Sequence, residues 1–217
     1  MTRLTDYQTF LTQFLRNQQT TGALVPSGRA LAKALCRHVG QGARPQTILE
    51  AGPGTGAVTS HIVERLREED CLSMVELNPT FAAHLRTLFD TKPAFKHVAS
   101  RCRLVEGSVQ ELGPDGPDGK DAQFDLVISG LPLNNFSSEH VNDILQAYSR
   151  LLRPGGVLSF FQYILIRPAK MAVSTGAERD RLKSVGATID GVLGEREFAR
   201  EWVWPNVPPA WVHHLRF

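Results

Sequence analysis

The sequence predicts an α/β fold, a three-layer sandwich in which a mostly parallel sheet lies between helices. Short apolar segments alternate with segments of helical character along most of the 217 residues, as repeated βαβ units require. A glycine-rich turn, residues 52–56, separates the first apolar segment from the helix that follows it. Two strand-like segments, residues 198–204 and 211–217, are joined by a short proline-rich loop, which predicts a closing hairpin and one antiparallel strand.

Length and composition are typical of one large globular domain. Of the 217 residues, 42% are hydrophobic and 21% are charged. No run of about 18 apolar residues occurs and the N-terminus lacks the apolar core of a secretion signal, so we expect a cytoplasmic protein that does not span a membrane. The three cysteines are far apart and no histidine or cysteine cluster has the spacing of metal ligands, so no metal site is expected.

The charge is distributed unevenly along the chain. The net charge is +2, but residues 1–46 contain six basic side chains and one acidic side chain. This N-terminal section therefore carries +5, and residues 47–217 carry −3. The small net charge argues against a large nucleic-acid surface, whereas the basic section suggests a partner of negative charge, either lipid or nucleic acid. We accordingly divide the chain into an N-terminal section, residues 1–46, and a main domain, residues 47–217.

Apolar residues near the N-terminus recur with the spacing of a helix. Three of the six are aromatic, in a chain that is only 8% aromatic: Leu4, Tyr7, Phe10, Leu11, Phe14 and Leu15. The intervening residues and Arg16 form a polar, mildly basic face, so the segment is predicted to be an amphipathic helix. Its apolar face either packs on the domain core or lies in a membrane interface, and the aromatic content fits the interface. Ser27 is predicted to cap a second helix, residues 28–39.

The stretch from Thr47 to Gly56 is predicted to be a strand, a glycine-rich turn and the start of a helix. An apolar run ends on Glu50, and glycines follow at Gly52, Gly54 and Gly56. Because glycine lacks a Cβ, the chain can turn sharply and a ligand can lie against its backbone. The N–H groups that open the helix face such a ligand with partial positive charge. The spacing differs from the G-x-G-x-x-G of dinucleotide-binding proteins, and the remaining alternative is a tight turn without a ligand.

The glycine spacing resembles the E-x-G-x-G-x-G pattern of the Rossmann-like class of S-adenosylmethionine-dependent methyltransferases. This resemblance implies a seven-stranded sheet, S-adenosyl-L-methionine as the cofactor and S-adenosyl-L-homocysteine as the product. The cofactor has a cationic amino group and a sulfonium, so an acidic residue at the end of the first strand is electrostatically favourable.

Two further strand ends match the expectation for this cofactor. Glu76 ends the second strand, 26 residues after Glu50, where a carboxylate can accept hydrogen bonds from both ribose hydroxyls. The alternative is an exposed charge at a strand end. Ser108 follows the third strand, in the corner that holds adenine in this class, although Asp is commoner there. The predicted cofactor-binding residues are Ser27, Glu50, Gly52, Pro53, Gly54, Thr55, Gly56, Glu76, Leu77, Ser108, Val109, Ser129, Gly130 and Leu131.

Three signals outside the glycine turn resemble the bacterial phospholipid N-methyltransferases, which methylate phosphatidylethanolamine, and their relatives that methylate ornithine lipids. They are Phe-Leu-Arg-Asn at residues 14–17, Ser-Gly-Leu-Pro-Leu at residues 129–133 and Val-Trp-x-Asn-x-Pro-Pro at residues 203–209. The resemblance spans nearly the whole chain. It implies a monomer on the inner face of the membrane that acts on a lipid substrate, with an anionic membrane surface as partner and neither nucleic acid nor metal.

By this resemblance, the N-terminal section contacts the membrane and covers the cofactor. The residues predicted to contact the membrane are Tyr7, Phe10, Leu11, Phe14 and Arg16. The loop after the fourth strand, residues 129–133, is expected beside the transferred methyl group, because adjacent strand ends line the ligand crevice where the strand order reverses. The predicted substrate-binding residues are Leu133, Asn134, Phe136 and Tyr163.

The chemistry of amine methylation requires a neutral amine that attacks the sulfonium methyl group in line. No general base is evident in the sequence. Backbone carbonyls of residues 130–133 and the hydroxyl of Tyr163, the predicted catalytic residue, are candidates to orient the lone pair. Phe136, Phe161 and Tyr163 are candidates to stabilise positive charge through cation–π contacts, and the alternative for Phe161 is core packing.

Other functions remain open at this stage. The ribosomal RNA adenine N6-methyltransferases carry a related loop that ends in an aromatic residue, which stacks on the flipped base. Leu133 occupies that position here and cannot stack in this way. A small-amine methyltransferase is a second alternative, and a cofactor-binding fold that serves only for interaction is a third.

Overall fold

The computed structural model describes residues 26–113, 123–164, 175–204, 206 and 208–217. The predicted amphipathic helix lies outside these ranges, together with the predicted membrane residues Tyr7, Phe10, Leu11, Phe14 and Arg16. Within the described part of the chain, no helix is both long enough and apolar enough to cross a bilayer.

Seven strands form a single mixed sheet with the order β3-β2-β1-β4-β5-β7-β6. The strands are β1 Thr47–Ala51, β2 Cys71–Glu76, β3 Cys102–Glu106, β4 Phe124–Ser129, β5 Leu152–Tyr163, β6 Glu197–Val203 and β7 Ala210–Arg216. Strands β1 to β5 are parallel, and β7 is antiparallel to both β5 and β6. The predicted α/β fold with its closing hairpin is confirmed, and the strand order reverses between β1 and β4.

Helices cover both faces of the sheet. They are α1 Pro26–Leu35, α2 Ala57–Val63, α3 Pro79–Thr91, α4 Pro93–Val98, α5 Ser138–Leu151 and α6 Gly176–Arg196. Asn78 caps α3 by accepting from the Thr80 N–H at 2.9 Å. Helix α1 begins at Pro26, so Ser27 lies in its first turn and the prediction that Ser27 is the cap is wrong. Proline suits a first helical position because its φ is fixed near the helical value.

Helix α6 corrects a second expectation. The sequence suggests a short helix at residues 178–183 and a turn at Asp190-Gly191, whereas α6 is continuous through both glycines of its second half. The helix is held by apolar side chains that recur at helical spacing and are buried: Leu182, Val185, Ile189 and Leu193. Their burial outweighs the roughly 1 kcal/mol that a glycine costs in a helix interior.

The two faces of the sheet have separate hydrophobic cores. On one face, α1 and α2 pack over β1, β5 and β7, with Leu35 and Ile48 fully buried. On the other face, α5 and α6 pack over β4 and β5, with Tyr148 and Phe160 at the centre. The adjacent histidines of β7 point to opposite faces, because His213 stacks on Phe160 and His214 meets His38 edge-on.

Candidate active site

The glycine turn after β1 is packed directly against the loop after β4. Gly52 has φ 70° and Gly56 has φ 80°, which are left-handed conformations that suit glycine. A Cβ on Gly52 would lie 2.4 Å from the Leu131 side chain, and one on Gly130 would lie 2.5 Å from the Gly52 carbonyl oxygen. The two segments therefore leave no room for side chains where they meet, at the point where the strand order reverses.

Glu50 is the penultimate residue of β1, and neither oxygen of its carboxylate makes a hydrogen bond of normal geometry among the described residues. The residue is 1% exposed. Burial raises the pKa of its carboxyl to about 8, against a smaller opposing effect of nearby Thr59. A buried carboxylate without a partner is costly, and a bound cation is the ligand chemistry that would satisfy it.

Glu76 ends β2 in a different environment, although it is equally buried. Its two oxygens accept from the Gly54 N–H at 2.9 Å and the Asn78 N–H at 2.8 Å. Burial raises the pKa of this carboxyl, while these backbone donors oppose the rise. The Glu76 carboxylate is thus fixed in position and ties the glycine turn to the end of β2.

A crevice lies over the ends of β1, β2 and β3. It is lined by Ala51, Gly52, Val75, Glu76, Leu77, Gly107, Ser108, Val109 and Leu131. The structure therefore brings six of the predicted cofactor residues together: Gly52, Glu76, Leu77, Ser108, Val109 and Leu131. Pro53, Gly54, Thr55 and Gly56 continue the adjoining turn. The Ser108 hydroxyl hydrogen-bonds the Gln110 side chain and caps the following turn of 3-10 helix.

A second pocket lies beside the first, at the ends of β4 and β5. Its lining consists of Pro132, Leu133, Asn134, Asn135, Phe161, Gln162 and Tyr163. The Gln162 amide donates to the Asn134 side-chain oxygen at 3.3 Å. The rings of Phe161 and Tyr163 meet edge-on, with their centroids 5.1 Å apart. We call this the acceptor pocket, and its lining is aromatic, aliphatic or neutral and polar.

Phe136 does not line the acceptor pocket. Its ring is 5% exposed and belongs to the core between α5, α6 and the sheet. Its carbonyl accepts from the Arg181 guanidinium at 2.5 Å, which ties the loop after β4 to α6. The neighbouring predicted residues Leu133 and Asn134 do line the pocket.

Tyr148 is a residue at this site that the sequence did not indicate. Its hydroxyl donates to the Ser129 hydroxyl oxygen at 2.8 Å, and the Leu131 N–H donates to the same oxygen at 3.3 Å. All three residues are buried. Tyr148 therefore supports the loop that joins the crevice to the acceptor pocket. In the sequence it is one more apolar position on the buried stripe of α5, so no local pattern distinguishes it.

Comparison with known proteins agrees with this geometry. A family model described as a methyltransferase domain matches residues 48–156, half of the chain. The chain belongs to the class I S-adenosyl-L-methionine-dependent methyltransferases. S-adenosyl-L-methionine is the methyl donor of this family and hence the cofactor of this methyltransferase.

The proteins that this methyltransferase resembles carry names with different acceptors. The ornithine lipid N-methyltransferase of Singulisphaera acidiphila is 29% identical over 154 residues, which are 71% of this chain and 76% of that protein. An O-methyltransferase from Bacillus cereus in complex with S-adenosylhomocysteine has a TM-score of 0.62 at 14% identity, covering 96% of this chain and 91% of that one. A 1,6-didemethyltoxoflavin-N1-methyltransferase from Burkholderia thailandensis has a TM-score of 0.61 at 17% identity, covering 97% and 88%. The two structures establish the fold alone.

Proposed function

We propose that this methyltransferase transfers methyl groups to the amine of a membrane-lipid head group, either phosphatidylethanolamine or an ornithine lipid. The acceptor pocket carries the proposal, because aromatic rings and neutral oxygen acceptors suit an amine that becomes cationic as it is methylated. The 29% identity to an ornithine lipid N-methyltransferase, over most of both chains, supports the same acceptor class.

On the cofactor side, the bound S-adenosyl-L-methionine supplies an electrophilic methyl group on a sulfonium. The buried, unpartnered carboxylate of Glu50 would hold the cationic amino group of the cofactor. Glu76 would accept from the ribose hydroxyls, and Ser108 and Val109 would contact the adenine. The close approach of Gly52 to the loop after β4 lets the cofactor lie against backbone on both sides.

On the acceptor side, the residues of the pocket would orient and desolvate the amine. A lipid ammonium has to lose its proton before it reacts, and removal from water favours the neutral form. The Asn134 oxygen accepts one hydrogen bond from Gln162 and has a second lone pair. That lone pair and the Tyr163 hydroxyl would orient the amine, and the Phe161 and Tyr163 rings would stabilise the growing charge by roughly 0.5–2 kcal/mol each.

The N-terminal section, residues 1–46, is proposed to bring the enzyme to the membrane and to cover the cofactor. Within it, the described helix α1 and the turn that follows it share a core with the sheet through Leu35 and Val39. The predicted membrane contacts precede α1, so they would approach the bilayer from a fixed point on the domain. In this proposal the enzyme is a peripheral membrane protein at the inner face of the membrane.

The test is methyl transfer from labelled S-adenosyl-L-methionine to vesicles that contain phosphatidylethanolamine or ornithine lipid. Phosphatidylcholine vesicles are the matched control, because their quaternary ammonium has no lone pair to methylate. We expect label in the lipid extract of the first two and none in the third. Tyr163→Phe should lower the rate about tenfold, as expected when one hydrogen bond that orients the amine is lost. If no lipid is labelled while calorimetry shows intact cofactor binding, the lipid proposal is wrong and small amines and RNA become the acceptors to try.

A further inference from the structure

The three tryptophans of the chain form one cluster at the end of the closing hairpin. Trp202 and Trp204 stack with ring centroids 5.3 Å apart, and Trp202 lies 3.8 Å from the Trp211 centroid. Trp202 is 53% exposed and Trp204 is 65% exposed. These three residues are called the tryptophan surface below. Among the described residues, three large apolar side chains are exposed, namely Phe198, Trp202 and Trp204, and all three lie at this edge of the sheet.

The tryptophan surface is continuous with the acceptor pocket. Gln162 of β5 pairs with Trp211 of β7, and Trp211 pairs with Trp202 of β6. Residues paired across antiparallel strands lie on the same face of a sheet. The side chains of Gln162, Trp211 and Trp202 therefore form a row from the pocket lining to the edge of the sheet. This row lies at the end of the sheet where β1, β4 and β5 finish.

The hairpin holds these rings in a fixed position. Its base is buried at Val203 and Ala210. The Asn206 amide donates to the Pro208 carbonyl at 2.7 Å, and the Ile164 N–H donates to the Pro209 carbonyl at 2.9 Å. The large exposed aromatic area is thus part of an ordered element, and such patches on soluble proteins mark interaction sites.

We propose that the tryptophan surface inserts into the interfacial zone of a lipid bilayer and so presents the acceptor pocket to the membrane. Tryptophan prefers this zone, because its ring is largely apolar while its N–H remains hydrogen-bonded to water or head groups. The Arg200 guanidinium lies 5.0 Å over the Trp211 ring but is ion-paired with the Glu197 carboxylate. The tryptophan rings and their continuity with the acceptor pocket therefore favour the bilayer, without a free cation beside them. This inference rests on the proposed function, since an acceptor whose chains stay in the bilayer requires the pocket mouth to face it.

Intrinsic fluorescence of the full chain tests the proposal directly, because every tryptophan belongs to the surface. On addition of vesicles of phosphatidylethanolamine and an anionic phospholipid, we expect a blue shift of the emission and quenching by lipids with brominated acyl chains. If the protein sediments with vesicles while its emission is unchanged, it binds through another surface and the proposal is wrong. A blue shift that follows protein concentration without vesicles would equally overturn it, in favour of contact between two copies of the chain.

Matched variants separate this surface from the rest of the strand. Trp202→Ala and Trp204→Ala should together weaken vesicle partitioning roughly tenfold or more, as expected when two interfacial rings are removed. Phe198→Ala is the control, because Phe198 lies on the same strand and is 43% exposed. Its ring contacts His38 and His214 on the opposite face of the sheet. Equal partitioning of the tryptophan and Phe198 variants would contradict the proposal.

The two proposals fail separately. Vesicle-induced blue shift without methyl transfer to any lipid leaves the membrane contact standing and removes the proposed function. Methyl transfer to vesicle lipid with unchanged tryptophan emission removes the membrane contact of this surface and leaves the proposed function standing.

Discussion

The crevice over β1, β2 and β3 and the acceptor pocket over β4 and β5 differ in how they are built. The crevice is lined by small and aliphatic residues, one hydroxyl and one buried carboxylate, that of Glu76. The acceptor pocket is lined by two aromatic rings and three neutral amides, and one of these amides, Gln162, pairs with Trp211 of the neighbouring strand. If the proposed assignments hold, this difference teaches that the cofactor would be held by elements that the fold fixes, whereas the acceptor would be met by side chains that can vary without disturbing the fold.

A second contrast separates the two buried carboxylates, Glu76, which lines the crevice, and Glu50, which does not belong to its lining. Glu76 accepts two backbone hydrogen bonds and is part of the folded framework. Glu50 has no such partner among the described residues, and its charge is costly until a ligand is present. The Glu76 carboxylate is therefore held by the turn, whereas the Glu50 carboxylate is the one that a cationic ligand would stabilise most.

The largest effect on methyl transfer is expected where the two regions meet. Gly130→Ala would place a Cβ 2.5 Å from the Gly52 carbonyl oxygen, which is backbone and cannot move aside. We expect the free energy of unfolding to fall by about 1–3 kcal/mol from overpacking. We also expect the methyl-transfer rate to fall about 100-fold, because the loop that separates cofactor from acceptor is displaced. Denaturant unfolding and initial rates measure the two effects.

Gly191→Ala is the matched control for that change. Gly191 lies within α6, and a Cβ there would meet nothing within 4 Å. This substitution should stabilise the protein by about 0.4–1 kcal/mol and leave methyl transfer unchanged. A Gly130→Ala variant that behaves like Gly191→Ala would show that the two regions are not packed as described.

The two buried carboxylates should respond in opposite directions to the same substitution. Glu50→Gln removes a charge without a partner, so the cofactor-free protein should become more stable at high pH while cofactor binding weakens at least tenfold. Glu76→Gln replaces one of two acceptor oxygens with an NH₂ group that faces a backbone N–H, so stability should fall by about 1–3 kcal/mol. Unfolding without cofactor and calorimetric titration with cofactor measure both.

The pH dependence of Glu50 has a defined sign. An unfolded glutamate ionises near pH 4.5, whereas burial raises the pKa of Glu50 to about 8 in the folded state. Between these values the folded protein binds more protons than the unfolded chain, so the free energy of unfolding falls as pH rises through this window. The full contribution is on the order of 5 kcal/mol, and it should disappear in Glu50→Gln. Parallel pH profiles for wild type and Glu50→Gln would contradict the assignment.

Most of the fold could be predicted because strand ends and helix caps are local features. Phe124 to Ser129 is apolar and bounded by polar residues, and Asn78-Pro79 marks a helix start, so these elements lie where the sequence predicts them. Helix α6 could not be predicted past Gly191, because its stability comes from burial against the sheet rather than from its own propensity.

The residues of the candidate site also fall into two groups, those that local sequence features predict and those that depend on tertiary packing. Glu50 and Glu76 could be predicted because they end neighbouring parallel strands and must lie close together. The position of the Phe136 ring in the core and the support of the loop by Tyr148 depend on how α5 packs on the sheet. Such contacts join residues that are far apart in the sequence, and no local spacing encodes them.

The smallest expected effect concerns the support behind the loop. Tyr148→Phe keeps the buried ring and removes only the hydroxyl that donates to Ser129 at 2.8 Å. We expect a loss of about 1 kcal/mol in stability and a few-fold lower rate of methyl transfer. A double-mutant cycle with Ser129→Ala identifies the route: if Tyr148 acts through the Ser129 hydroxyl, Tyr148→Phe should have little further effect on the rate once that hydroxyl is gone. Rate effects that add in the double variant would mean that Tyr148 supports only the core of α5 and does not position the loop.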